Sequence, residues 1–341
     1  MKADRTRVQW LLTFGTALVV WLVCGALIEP AAAYQGPELR LVPDQTTISI
    51  LRGDQPVLRY RFADTPFKPY VRELFTPKGV NVLLDSPPDH VHHRGLMFAV
   101  AADGVSFWEE MDQAGRQINR AIGPLLPTRG DRGTVVGFVE ELDWLSPEGK
   151  RLLREERMLQ VLGDAEVESA GATLLTWTTR LESPPGAADV KLTGNHYFGL
   201  GLRFVRAMDK LGKFDNSEHA EGEVFRGDER LTRARWCAYA SRVDDKPVTV
   251  AMFDHPDNVR HPATWFTMAN PFAYLSATLN LHREPLTLKT AEPLELRYGV
   301  ALWDGHVEAE KIEKLYQLWV SRFTDKRDVR PEGRKSKESK P

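Results

Sequence analysis

The strongest constraint in this sequence is alternation. Leu58, Tyr60 and Phe62 alternate with Arg59 and Arg61, and Ile48 and Ile50 share one side of the run from Thr46 to Leu51. A period of two sends successive side chains to opposite faces of an extended chain, so each run predicts a half-buried β-strand. Comparable runs recur at 95–101, 104–109, 134–143, 151–160, 172–183, 199–206, 247–254, 277–283 and 294–302. Turn signals stand between them: Pro77-Lys78-Gly79, Asp103-Gly104, Ser146-Pro147-Glu148-Gly149 and Ser183-Pro184-Pro185-Gly186. Many strands at this spacing predict an all-β chain, a large antiparallel sandwich or barrel. One segment changes period. Ile312, Leu315, Tyr316 and Trp319 follow i, i+3, i+4, i+7, with Glu310, Lys311 and Lys314 off the stripe, which predicts a C-terminal helix packed on the sheets. There is no internal repeat, no Rossmann glycine fingerprint and no phosphate-binding loop.

Both ends read differently. Lys2, Arg5 and Arg7 precede the uncharged run from Trp10 to Ile28, and Ala31-Ala32-Ala33 offers a cleavage pattern before Tyr34. Residues 1–33 are therefore expected to be a signal peptide or N-terminal membrane anchor, and the protein to be exported, periplasmic or extracellular. Residues 34–322 are expected to form a single β-sandwich domain, and 323–341 a disordered basic tail. After residue 33 the only cysteine is Cys237, between Trp236 and Ala238, so no intramolecular disulfide can form and a buried inert thiol is expected. Lys and Arg number 45 against 47 Asp and Glu, which argues against a nucleic-acid partner. A single apolar run excludes a multi-span membrane protein.

Four clusters carry chemistry. The densest is Asp85-Ser86-Pro87-Pro88-Asp89-His90-Val91-His92-His93-Arg94-Gly95, followed by Trp108, Glu109 and Glu110. On an extended segment His90 and His92 would share a face and His93 would point away. That pattern suits two metal ligands, a set of donors for sugar hydroxyls, or a buried hydrogen-bonded cluster. Trp108 could stack on a sugar face. The second is Asn195-His196-Tyr197-Phe198-Gly199, with Arg203 on the next strand; His196 suits acid–base work near neutrality. The third holds His255, Asn258 and His261 in a proline-rich loop. The fourth offers Glu292 and Glu295 before the closing strand.

Two resemblances rest on these motifs. Pro87 to Leu96, Phe107-Trp108-Glu109-Glu110, Gly199-Leu200-Gly201-Leu202-Arg203-Phe204 and Leu296-Arg297-Tyr298 with Asp304-Gly305 together resemble the PmoA-like family over roughly residues 45–320. These are bacterial proteins of unknown function, often exported. The family's name refers to a methane oxygenase subunit, an activity that a chain with one apolar run argues against. The segment Leu192 to Phe198 is similar to that around the catalytic histidine of aldose 1-epimerases, with one residue fewer between His196 and Tyr197. His92-His93-Arg94-Gly95 stands where those enzymes carry a sugar-binding segment, and Glu292 where they place a general base, without their P-G-E triplet. This likeness implies a galactose-mutarotase-like β-supersandwich.

The expectation is an exported protein that binds a sugar or sugar derivative, as a small molecule or oligosaccharide, with epimerase, lyase or hydrolase chemistry open. His196 would be the acid and Glu292 the base. His90, His92, His93, Arg94, Trp108, Glu109, Tyr197, Arg203, His255 and Asn258 would bind substrate. A non-catalytic carbohydrate-binding module is one alternative, relying on exposed aromatics such as Trp108, Trp265 and Trp303. A metal-dependent hydrolase or oxygenase using His90 and His92, with His196, is the other. No cofactor is expected, and a metal ion is left open.

Overall fold

A computed structural model of the protein describes residues 38–125, 128–130 and 133–324. The expected export segment and the tail beyond 324 lie outside the described residues. Among the described residues no helix is long and apolar enough to cross a membrane.

The predicted all-β architecture is what the chain forms. One antiparallel sheet has ten strands, in the spatial order Leu39–Pro43, Thr47–Arg52, Gln55–Arg61, Tyr70–Leu74, Leu96–Ala99, Gly199–Arg203, Tyr274–Thr278, Thr264–Met268, Glu229–Arg233 and Glu223–Arg226. A second runs Lys213–Asn216, Trp236–Val243, Lys246–Asp254, Leu294–Asp304, Ala172–Glu182, Arg151–Asp164, Gly133–Leu145 and Arg116–Pro124, with Thr128–Gly130 paired on Gly133–Leu145. A small sheet joins Leu286–Leu288, Val190–Thr193, Ala101–Ala102 and Val105–Ser106.

Alternation decides which side chain goes where. In the second sheet Val161, Leu175, Val300 and Leu302 enter the large core shared with the ten-stranded sheet. Their neighbours Leu162, Leu174, Ala301 and Trp303 enter a separate core on the opposite face. The helix Ala309–Thr324 covers that second core with Ile312, Leu315, Tyr316 and Trp319, the predicted stripe. Burying each such side chain is worth about 1.5–3 kcal/mol, so the helix is held by its apolar face. It runs to Thr324, two residues past the expected end of the domain. A short helix, Ala165–Ser169, also forms, capped by the Asp164 carboxylate on the Val167 N–H at 2.8 Å.

Charge is also buried in the large core. The Arg157 guanidinium donates to Glu155, the Tyr60 hydroxyl, the Pro69 carbonyl and Gln117, and it lies 4.8 Å from the centre of the Trp177 ring. Tyr60 in turn donates to Glu140, tying one large sheet to the other. Every donor here has a partner, the condition under which buried charge is tolerated.

Two strand expectations move. The run at 277–283 is the strand Tyr274–Thr278 followed by a turn, because Asn280 takes a left-handed conformation (φ 54°) and breaks the alternation of Leu279 and Leu281. The run at 104–109 pairs only at Val105–Ser106, beyond which the Ser106 hydroxyl bonds Glu109 and the chain turns. Cys237 is buried, as expected, and burial pushes its thiol pKa up.

Candidate functional site

Four strands of the ten-stranded sheet present one face to a cleft of about 390 Å³. Direct cross-strand partners share a face. Arg203 pairs with Tyr274, Tyr274 with Met268, and Gly201 with Ser276 opposite Phe266. Tyr274, Phe266 and Met268 thus stand together and line the cleft, joined by Glu229 from the next strand. Gly201 is what makes room. A Cβ there would meet the Tyr274 hydroxyl at 2.1 Å and the Trp108 ring at 2.9 Å. The glycine of this strand therefore admits two aromatic rings over bare backbone.

Three histidines form one wall. The segment 87–93 is not extended, so the expected split between His92 and His93 does not occur. The His90 N–H bonds the Pro87 carbonyl and the His93 N–H bonds the His90 carbonyl, each at 2.9 Å, closing two successive turns. The rings gather as a result. His90 stacks on His93 at 4.7 Å, and His92 meets His93 edge-on at 4.7 Å. His93 packs on Tyr274 and Phe272. Burial, reinforced by the positive fields of His92 and His90, pushes His93 down to about 2, so it is neutral in any physiological medium. Burial and then Lys68 lower His92 as well. Among the described residues no three His, Cys, Asp or Glu side chains converge as a metal site would need.

Lys68 and Arg94 brace this wall without lining it. Lys68 donates to the Trp108 carbonyl at 2.8 Å and to Glu110 at 3.2 Å, and burial, opposed by Glu110, lowers it to about 8. Arg94 grips Glu110 with Nε and Nη2 and reaches Asp85 at 3.5 Å. The histidine turns and the Trp108 segment are thereby clamped together.

On the other side His196 is almost fully buried. Its Nδ1 lies 2.7 Å from Asn195 Oδ1 and its Nε2 lies 3.1 Å from Glu229 Oε2. Asn195 Oδ1 also accepts the His196 backbone N–H at 2.9 Å, which fixes the amide orientation and requires a proton on Nδ1. Burial lowers the His196 pKa while Glu229 opposes the shift. Glu229 Oε1 accepts from Arg226 at 2.6 Å, and Phe225 covers the imidazole at 3.7 Å between ring centres.

The cleft collects His90, His92, His93, Trp108 and Tyr197 from the expected residues, with His196 behind Glu229. Glu109 holds Ser106 nearby and, after burial, helps raise the Tyr197 pKa. Other expected residues stand elsewhere. Glu292 is exposed in a turn closed by its N–H on the Lys289 carbonyl, outside the cleft lining. His255 packs on Trp319 of the helix, and burial, followed by the field of Arg297, pushes it down to about 4. Asn258 stitches Asp254 to the Arg297 backbone. Arg203 backs the cleft rather than lining it, donating to Asp209 and the Ala273 carbonyl beneath Phe272. Trp108, Trp265 and Trp303 are all buried, so none is the exposed platform a carbohydrate-binding module was expected to use.

The principal unforeseen residue is Glu229, with Arg226. Their hairpin carries a signal in Gly227-Asp228, a two-residue turn between Glu223–Arg226 and Glu229–Arg233, with Gly227 at φ 56°. Phe266, Met268, Phe272 and Tyr274 gave none, because an inward aromatic on a strand reads as core.

Residues 47–317 match the model of a family of unknown function, DUF6807, whose description does not include the PmoA-like name. No curated protein matches the chain. Among solved structures, the alpha-galactosidase from Lactobacillus brevis is similar at 6% identity and a TM-score of 0.37, over 78% of this chain and 39% of that one. The chain thus spans about two-fifths of that protein's length.

Proposed function

The chain belongs to the DUF6807 family, for which no activity is assigned, and we propose from its cleft that it binds a sugar or sugar derivative. One observation carries this reading. The cleft joins apolar ring surface from Tyr197, Phe266, Phe272 and Tyr274 to hydrogen-bonding groups from His90, His92, Arg226 and Glu229. A pyranose has the same two-sided chemistry, with C–H faces that pack on rings and hydroxyls that need donors and acceptors. The volume falls within the range of small-molecule sites. The likeness of Leu192 to Phe198 to aldose 1-epimerases points the same way, and we retain the PmoA-like likeness as a reading of the motifs without its oxygenase activity.

The test is calorimetry of the purified protein against a panel of neutral mono- and disaccharides. Millimolar or tighter binding that is lost in His92→Ala is expected. No heat from any member would end the reading.

A second reading, acid–base turnover of the bound sugar, is favoured by the imidazole–carboxylate contact of His196 and Glu229 beside the cleft. In it Glu229 takes the carboxylate role expected of Glu292. Product formation followed by NMR tests it, and sugars that bind wild-type protein unchanged over days would exclude it. We further propose that the N-terminal segment exports the protein; cell fractionation with a C-terminal epitope tag checks this.

A further inference from the structure

Three residues of the cleft lining each carry a buried polar atom with no hydrogen-bond partner among the described residues: Trp108 Nε1, the Tyr274 hydroxyl and His93 Nδ1. All three belong to side chains less than one-tenth exposed. Buried polar atoms without partners are costly and uncommon in native proteins, and three within one cleft is a concentration that packing does not require. Their chemistry is specific. The indole is a donor only, the phenol donates or accepts, and a neutral imidazole nitrogen does one or the other. None carries charge. The only cation in the lining is Arg226, which is largely exposed at the rim and paired with Glu229. Lys68 and Arg203, whose charges act on His93, are each paired with a carboxylate, Glu110 and Asp209, although Arg203 Nε has no partner among the described residues.

Resting on the sugar-binding reading above, we infer that the cleft floor is a hydroxyl-reading subsite that selects neutral sugars over uronic acids. Hydroxyls of the inserted end bond the indole N–H, the phenol and the imidazole, in place of partners the protein does not supply. A carboxylate at the same position would lose its hydration and meet only cations that already have a carboxylate partner. The three atoms are shielded from solvent, so a hydroxyl reaches them through side-chain movement, and the lining residues free to move are the exposed Arg226 and Pro271 and the half-buried His90.

The test uses Tyr274→Phe, which keeps the ring and removes only the unpaired hydroxyl. Thermal unfolding is measured without ligand, and calorimetry compares glucose and galactose with glucuronate and galacturonate. The variant is expected to melt at the wild-type temperature or about 2 °C above it, because it loses an unsatisfied group. The neutral sugar that binds is expected to do so about tenfold tighter than its uronate, and about tenfold weaker in the variant. Uronates binding as tightly as neutral sugars, or unchanged affinity in the variant, would overturn the inference. If neither these four sugars nor any member of the wider panel binds, the sugar reading fails. The melting temperature still decides the floor: a variant several degrees less stable would show that the hydroxyl was satisfied after all.

Discussion

Glu229 Oε2 and His196 Nε2 lie 3.1 Å apart across 33 residues of sequence, and the contact makes an imidazole–carboxylate pair at the edge of the cleft. The pair brings together the loop before Gly199–Arg203 and the hairpin at the far side of the same sheet. Glu229→Gln keeps the shape and removes the charge. It should weaken sugar binding about tenfold and drive the His196 pKa lower still, as read by imidazole NMR titration. Glu292→Gln, on an exposed turn, should leave binding within twofold. Equal losses in both variants would contradict the placement of the carboxylate.

Asn258 is held by contacts within the fold and lies outside the cleft lining. Its side chain makes three hydrogen bonds of 2.7 Å, to Asp254 and to the N–H and carbonyl of Arg297. Asn258→Ala should cost about 3 kcal/mol in chemical denaturation, since it strands buried backbone groups. Its sugar affinity should match wild type. A selective loss of binding would reverse this assignment.

Two buried groups give the stability curve opposite slopes. Burial raises Glu140 to about 7, against 4.5 ordinarily. Between those values the folded protein holds a proton that the unfolded chain releases, so this group makes stability fall as pH rises from about 4.5 to 7. His93 is depressed from 6.5 to about 2. Below pH 6.5 the unfolded chain takes up a proton that folded His93 refuses, so this group makes stability fall as pH drops. The effects cancel in part between 4.5 and 6.5, and only difference curves separate them. Subtracting the curve of Glu140→Gln should reveal the first slope, about 3 kcal/mol over its range, and that of His93→Gln the second, which is larger over its wider range. Difference curves flat with pH would refute the assignments.

Trp319 anchors the helix. It is fully buried, packs against Phe253 and His255, and its indole N–H bonds Thr176 at 3.0 Å. Trp319→Ala should cost about 3–5 kcal/mol. The cleft lies on the other large sheet, so sugar affinity at a temperature where the variant is folded should be unchanged.

Much of the fold was legible because strand and helix periods are local properties of a chain. Leu58, Tyr60 and Phe62 announce their strand, and Ile312 to Trp319 announce the helix that covers the second sheet. Five of the twelve cleft residues were legible too, because His90, His92, His93 and Trp108 cluster in sequence as they do in space and Tyr197 adjoins the second histidine motif. The geometry of the histidines was not, because two successive turns replace the strand that H-x-H suggests.

The sequence by itself determined the β architecture, the export-like first segment and the residue types available to a site. Only the tertiary structure decided that His196 faces Glu229 rather than Glu292, that His255 and Asn258 stand outside the cleft lining, and that Tyr274 and Phe266 belong to it. The physical reason is strand order. Gly199–Arg203, Tyr274–Thr278, Thr264–Met268 and Glu229–Arg233 are neighbours in the sheet though scattered along the chain. Alternation says only that a side chain lies on one of two faces; pairing between distant strands chooses which residues share it.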